Sequence, residues 1–284
     1  MFLAMIGTAI SQGMVRQVSA ELHTFEIVFL TTLTGLPVLL PWFLRHGLEP
    51  FRTTRFSLHL MRTLIVVFQM TAWYHAIAIT PLANASALGF SAPIFATVLA
   101  VIVLGERVGI ARWFAVFLGV IGMLIILRPG LISTELGPVL AVTSALGRGV
   151  VIIITKMLSR TDSTVTILAY VMVLFVPLSL IQALLVWRWP SPEAFMWLVG
   201  TGIIGTTSAL MLTQAIKEAE TSVIMPLFFF QLIWMSLIGF AFFGEIPSVF
   251  AWIGGAMIIG SGTLIAYRET RTKRVLLSAV DKGK

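Results

Sequence analysis

Arg148 stands eleven residues after Gly137, in a run to Thr155 that carries no other charge. At ~1.5 Å per helical residue it sits ~16 Å into a span that must cross ~30 Å of hydrocarbon, close to the middle. An arginine at that depth costs about 2.5–3.5 kcal/mol, so it must face water, protein or a solute rather than lipid. Two chemistries fit. A guanidinium can grip a carboxylate or phosphate through two parallel hydrogen bonds, or it can tie neighbouring helices together through their backbone carbonyls. The sequence leaves both open.

Other polar side chains recur at similar depth. Gln12 precedes Gly13 as Arg148 precedes Gly149, Gln69 lies about ten residues into its own apolar run, and Gln231 is followed one turn later by Trp234. Ser208 corresponds to Gln69 when the chain is shifted by 139 residues. Hydrogen bonding between helices accounts for any one of these alone. Their shared depth is the argument for a cavity lined by Arg148, Gln12, Gln69, Ser208, Gln231 and Trp234. His75 is a titratable group that could relay protons, beside Trp73 and Tyr74, which read as part of an interfacial aromatic belt. Trp187 and Trp189 read as anchors of the same kind. Pro93 and Pro226 fall inside apolar runs, where each frees a backbone carbonyl and suits a gate as well as a packing kink.

Catalysis finds little footing. There is no cysteine, no H-E-x-x-H and no G-x-S-x-G; the four histidines are scattered, and the acidic residues fall near the ends of apolar runs. A membrane-embedded enzyme is therefore the weaker class, and no cofactor or metal is expected.

These residues need helices to hold them, in a chain with 58% hydrophobic and 11% charged residues among its 284 and a mean hydropathy of +1.00. A soluble domain carries about 25% charge, so lipid is the expected solvent. Breaking the chain where charges, proline and glycine cluster gives ten spans: 2–18, 24–44, 59–79, 83–104, 110–127, 137–156, 165–187, 194–213, 221–243 and 248–267. No positive residue precedes the Met1–Val15 run, so it reads as a first membrane helix rather than a cleaved signal. With the N-terminus inside, fifteen of the nineteen Lys and Arg fall on the cytoplasmic side. The net charge of +7 is then a topology signal, nucleic acid drops out as a partner, and both termini are cytoplasmic.

The same 139-residue shift lays Ala76-Ile77 on Ala215-Ile216, Gly105-Glu106 on Gly244-Glu245, and Trp113 on Trp252. Five spans per half is an odd number, which turns the second half upside down, a construction recurrent in secondary transporters. The stretch from Thr80 to Gly130 resembles the drug/metabolite transporter superfamily and, within it, the EamA family. Pro81-Leu82-Ala83, Pro93, Leu104-Gly105-Glu106-Arg107, Trp113, Gly119, Gly122 and Arg128-Pro129-Gly130 carry the resemblance, with Leu158–Ser163 and Gly244-Glu245 in the second half. The first span departs from it, offering Ser11-Gln12-Gly13 where the family commonly has a Trp-Gly-Ser type start.

The resemblance implies an all-α integral membrane protein of ten transmembrane helices in two inverted five-helix repeats, residues 1–130 and 131–270, with a basic cytoplasmic tail at 271–284. It further implies an inner-membrane carrier for a small metabolite, working without ATP by alternating access. An amino acid, exported, suits Arg148 with Trp234; S-adenosylmethionine or a nucleotide-like metabolite is the alternative, because Leu158–Ser163 also resembles carriers of that kind. A homodimer is left open. If the repeat is inverted, tags inserted in the loops at Arg107 and Pro247 will report opposite sides of the membrane; finding both on one side would remove the argument for inversion.

Overall fold

The computed structural model describes the backbone of residues 1–46, 53–106, 108–128, 136–218 and 221–281; side chains at 39–46, 164, 216–227, 229 and 268–281 lie outside the description. Helices account for nearly all of it: α1 (Phe2–Val18), α2 (Thr24–His46), α3 (Phe56–Ile79), α4 (Leu82–Gly89), α5 (Ala92–Leu104), α6 (Ile110–Leu127), α7 (Leu136–Leu158), α8 (Thr164–Leu184), α9 (Pro192–Glu218), α10 (Thr221–Phe243) and α11 (Val249–Asp281). No strand occurs among the described residues. Six segments are long and apolar enough to cross a bilayer: Leu82–Leu104, Ile110–Leu127, Leu136–Leu158, Val165–Leu184, Pro192–Ala215 and Val249–Tyr267. In lipid a helix satisfies its own backbone polar groups, which is why such a composition settles into helices and little else.

Three elements differ from the sequence expectation. The fourth span is two helices, α4 and α5, because Pro93 lacks the N–H that would bond back one turn and Ser91 turns its Oγ to the Leu88 carbonyl at 2.7 Å instead. α8 stops at Leu184, so Trp187 falls in the connection that follows it. α11 runs on to Asp281 through most of what reads as a basic tail.

Packing is inverted relative to a soluble domain. Large apolar side chains face outward, among them Ile110 (89% exposed), Phe242 and Phe117, whereas helix contacts are made by small residues. Gly122 of α6 and Gly254 of α11 meet backbone to backbone, and Ser261 Oγ donates to the Ala115 carbonyl at 2.6 Å across the same seam. Gly35 of α2 meets Gly202 of α9, Gly7 of α1 meets Ser208 of α9, and Gly147 of α7 lies on Gln69 of α3. The four-residue ridges Ala111-Ala115-Gly119 and Ala141-Ala145-Gly149 serve this purpose, with Ala115 and Ala141 fully buried. Where lipid is as apolar as the side chains, close backbone approach replaces hydrophobic burial as the source of cohesion.

A Cβ at Gly122 would lie 2.7 Å from the Gly254 carbonyl, whereas one at Gly260 would meet nothing within 4 Å. Gly122→Ala will therefore cost about 1–3 kcal/mol in overpacking, and Gly260→Ala will be neutral or stabilising through helix propensity. Thermal unfolding in detergent checks this pair; equal midpoints would contradict the packing.

Candidate functional site

The centre of the bundle is built around α7. Gly147 and Gly149, on either side of Arg148, press against α3 (at Gln69) and α5 (at Phe95 and Ala96). Arg148 lies between them in angle, so it points into the bundle. There its guanidinium stands 5.8 Å from the ring centre of Trp73, a cation–π contact. Trp73 is buried, with Gly89 at the break between α4 and α5 against its six-membered ring. Its Nε1 donates to Gln12 Oε1 at 2.9 Å. Deep placement does not seal Arg148 off: it remains among the exposed residues of α7. An arginine at this depth has to keep polar surroundings, since lipid would not offset its charge.

The structure thus brings together Gln12 and Arg148, the two residues that the repeat pairs, and adds Trp73 between them. Trp73 is 8% exposed and Tyr74 7%, so neither belongs to an interfacial belt. Position along a helix suggested the belt, but the face they occupy turns inward. Trp189, at 83% exposed, does sit at the surface, while Trp187 packs edge-on against it and Phe29. Gln69 is held at the α3–α7 seam, where Ser144 Oγ donates to its carbonyl at 2.8 Å. Ser208 is buried in the α1–α9 seam, opposite Gly7. Gln231 and Trp234 are half-buried on α10, Trp234 packing against the core that contains Trp73. His75 lies near the end of α3, its Nδ1 3.1 Å from Thr24 Oγ1. Pro93 starts α5 and approaches Gly262 of α11. The side chain of Pro226, and Arg107, lie outside the described residues.

Charged groups gather at the helix ends. Arg16 of α1 donates to the carbonyls of Thr80 (2.6 Å) and Ile77 (3.2 Å) and forms an ion pair with Glu245 at 2.6 Å. Lys156 of α7 forms an ion pair with Glu106. His59 Nε2 lies 2.7 Å from Asp162 Oδ2, which also accepts from Thr53 Oγ1 at 2.7 Å, and Tyr170 stacks on the imidazole at 4.5 Å. Burial works to raise the Asp162 carboxyl, but hydrogen bonds from His59 and Thr53, the charge of His59 and a bond from Thr161 outweigh it and hold the group below the usual carboxylate range. Arg62, near the start of the expected span 59–79, is buried on α3, with its Nε donating to Thr155 Oγ1 at 2.8 Å. Glu26 is fully buried and accepts from the backbone N–H groups of Arg188 and His23. Of these partners the sequence marks only Glu106 and Glu245, through their repeated Gly-Glu; their cations lie on distant helices and carry no local signature.

A multi-pass helical bundle with an arginine held among its central helices and charge ties at its ends has the form of a membrane carrier. The chain belongs to the EamA-like transporter family, whose model matches it twice, over residues 1–128 and 135–267. It is 31% identical to a riboflavin transporter of Vibrio cholerae over 84% of this chain and 82% of that one. It is 32% identical to a riboflavin transporter of Rhizobium johnstonii over 83% and 78%. With an S-adenosylmethionine uptake transporter of Rickettsia felis it shares 27% identity over 95% and 92%. A solved crystal structure superposes with a TM-score of 0.60 at 18% identity, covering 95% of this chain and 98% of the other, a likeness of fold. None of these relatives is named for amino-acid export, the substrate and direction that the sequence suggested.

Proposed function

We propose that this transporter carries a planar, polar heteroaromatic metabolite of the flavin class, bound between two inverted five-helix halves and moved inward by alternating access. Trp73 with Arg148 carries the reading. The guanidinium offers a donor fork for the carbonyls along the edge of a flat ring, and the indole beside it, buried here, would offer that ring an aromatic face as the halves part. Gln12 supplies an amide, which both donates and accepts, and Gln69, Gln231 and Trp234 are the further candidates for the wall. The riboflavin transporters among the relatives support that substrate class.

Ten membrane spans, with residues 1–130 and 131–270 as the halves, are supported by the two separate family matches and by the helix order. A cytoplasmic location of both termini rests on the distribution of Lys and Arg. Pro93, at the break between α4 and α5, and Pro226 are placed as bending points of the moving helices, and His75 as a secondary candidate for proton relay. The carrier reading is preferred to an enzyme because every relative cited is named a transporter.

S-Adenosylmethionine is the second reading, favoured by the Rickettsia relative. Its adenine would lie on Trp73 and its carboxylate would meet Arg148. Against it, Arg148 repels the sulfonium, and no acidic side chain among the described residues is recorded in contact with Arg148 to offset that. The amino-acid reading is not carried forward.

Uptake of radiolabelled riboflavin and S-adenosylmethionine into vesicles, with and without an imposed pH gradient, separates these readings. Riboflavin will accumulate, and Arg148→Ala will reduce its uptake by about tenfold to a hundredfold, the loss of a charge-assisted bond of ~1.5–3 kcal/mol. Arg148→Lys will recover only part, because an ammonium lacks the planar fork. Uptake of S-adenosylmethionine alone would transfer the proposal to the second reading, and unchanged riboflavin uptake by Arg148→Ala would remove Arg148 from the site.

A further inference from the structure

The two Gly-Glu sequences end α5 and α10 in one conformation. Gly105 and Gly244 both have φ of 65°, in the left-handed region that glycine enters freely. The N–H of Glu106 reaches back to the Ala100 carbonyl at 3.2 Å, and that of Glu245 to the Gly239 carbonyl at 3.0 Å, each six residues away. Each helix thus ends on a left-handed glycine whose successor's N–H turns back to the helix carbonyls. Each glutamate then meets a cation in the last turn of another helix: Arg16 of α1 for Glu245, and Lys156 of α7 for Glu106. Helix α1 opens the first family-matched segment and α7 opens the second, so in both cases the glutamate belongs to one segment and its cation to the other. The cations occupy comparable places, each in the last turn of the helix that opens its segment, although the 136-residue shift that pairs Gln12 with Arg148 carries Arg16 to Ile152, one turn short of Lys156. Inversion of the halves sets the two pairs at opposite ends of the bundle.

The pairs are not equally held. Arg16 also bonds two carbonyls at the end of α3 and stands over Phe243 at 5.1 Å, while Glu245 accepts from the Leu82 N–H at 2.8 Å. Their side chains are 19% and 12% exposed, against 49% and 30% for Lys156 and Glu106. A pair standing in water is screened and weak, and one withdrawn from water with further bonds is firmer. Arg16 would keep the Thr80 and Ile77 carbonyls if Glu245 moved away, and Glu245, giving up Arg16 and the Leu82 N–H together, would pass to water.

We propose that Arg16–Glu245 and Lys156–Glu106 are paired latches of the transport cycle. Each ties the two halves at one end, opening to either side parts one while the other holds, and the firmer Arg16–Glu245 pair leaves the empty carrier readier to open at the Lys156–Glu106 end. This rests on the alternating-access reading above. It assigns the repeated Gly-Glu motif a conformational role, separate from the recess around Arg148.

The chain has no cysteine, so Gln12→Cys gives a single reporter in the recess, labelled by a membrane-impermeant maleimide from outside in intact cells and from the cytoplasmic face in inside-out vesicles. In the otherwise unaltered chain, labelling will be faster from the cytoplasmic face. Glu245→Gln will raise labelling from outside about tenfold, equivalent to ~1.4 kcal/mol in the balance of states. Glu106→Gln will raise labelling from the cytoplasmic face and lower it from outside, and the exchange Lys156→Glu with Glu106→Lys will return both rates towards their starting values. If the reporter labels but Glu245→Gln and Glu106→Gln leave both rates unchanged, with normal membrane insertion, the latches are wrong while the recess stands. If the reporter labels from neither side in any variant, the recess falls and the latches fall with it.

Discussion

Charge inside hydrocarbon must be answered by protein or by water, and that constraint organises this bundle. Arg148, Arg62 and Arg16 are the charges at issue, each answered differently. Arg62 is withdrawn into the seam between α3 and α7, held by Thr155. Arg16 is shared between two backbone carbonyls and a carboxylate near the end of the bundle. Arg148 stands beside the Trp73 ring and stays exposed. Its guanidinium is the one proposed to offer donors to a solute. Gly147 and Gly149, on either side of it, let α3 and α5 come close to α7.

How far this could be read in the sequence depends on the kind of information each feature needs. Helix positions follow from length and apolarity, which are local, and the expected spans 2–18, 110–127 and 221–243 coincide with α1, α6 and α10. Arg148 stood out because one charge in a long apolar run has few explanations, and Gln12 because the repeat pairs it with Arg148. Trp73 was misplaced because distance along a helix does not say which way a side chain turns; the smallness of Gly89, against which it packs, was the available clue. Ser208 was included by repeat arithmetic, yet the helix facing it carries Gly7, and a small residue opposite a small residue makes a seam rather than a cavity. Arg62 falls inside the expected span 59–79, but nothing local in the sequence says that it turns into the seam with α7 rather than towards the cytoplasm.

The Gly-Glu repeat illustrates the limit from the other side. Its recurrence was legible, and so was the helix stop that glycine makes. Its partners were not, since Arg16 and Lys156 lie on helices whose proximity only the fold establishes. With the partners known, a motif that marks repeat architecture also becomes a pair of ties between halves, one firm and one weak.

The central claim is that Arg148 and Trp73 form one surface for a flat aromatic solute. Titration of riboflavin with the purified protein, followed by quenching of flavin fluorescence, tests it without transport. The account predicts saturable quenching in the unaltered protein, and a dissociation constant raised about tenfold or more in both Trp73→Leu and Arg148→Ala, as loss of a stacking face or a charge-assisted donor requires. Equal affinity in all three proteins, each folded to the same helical content, would contradict it.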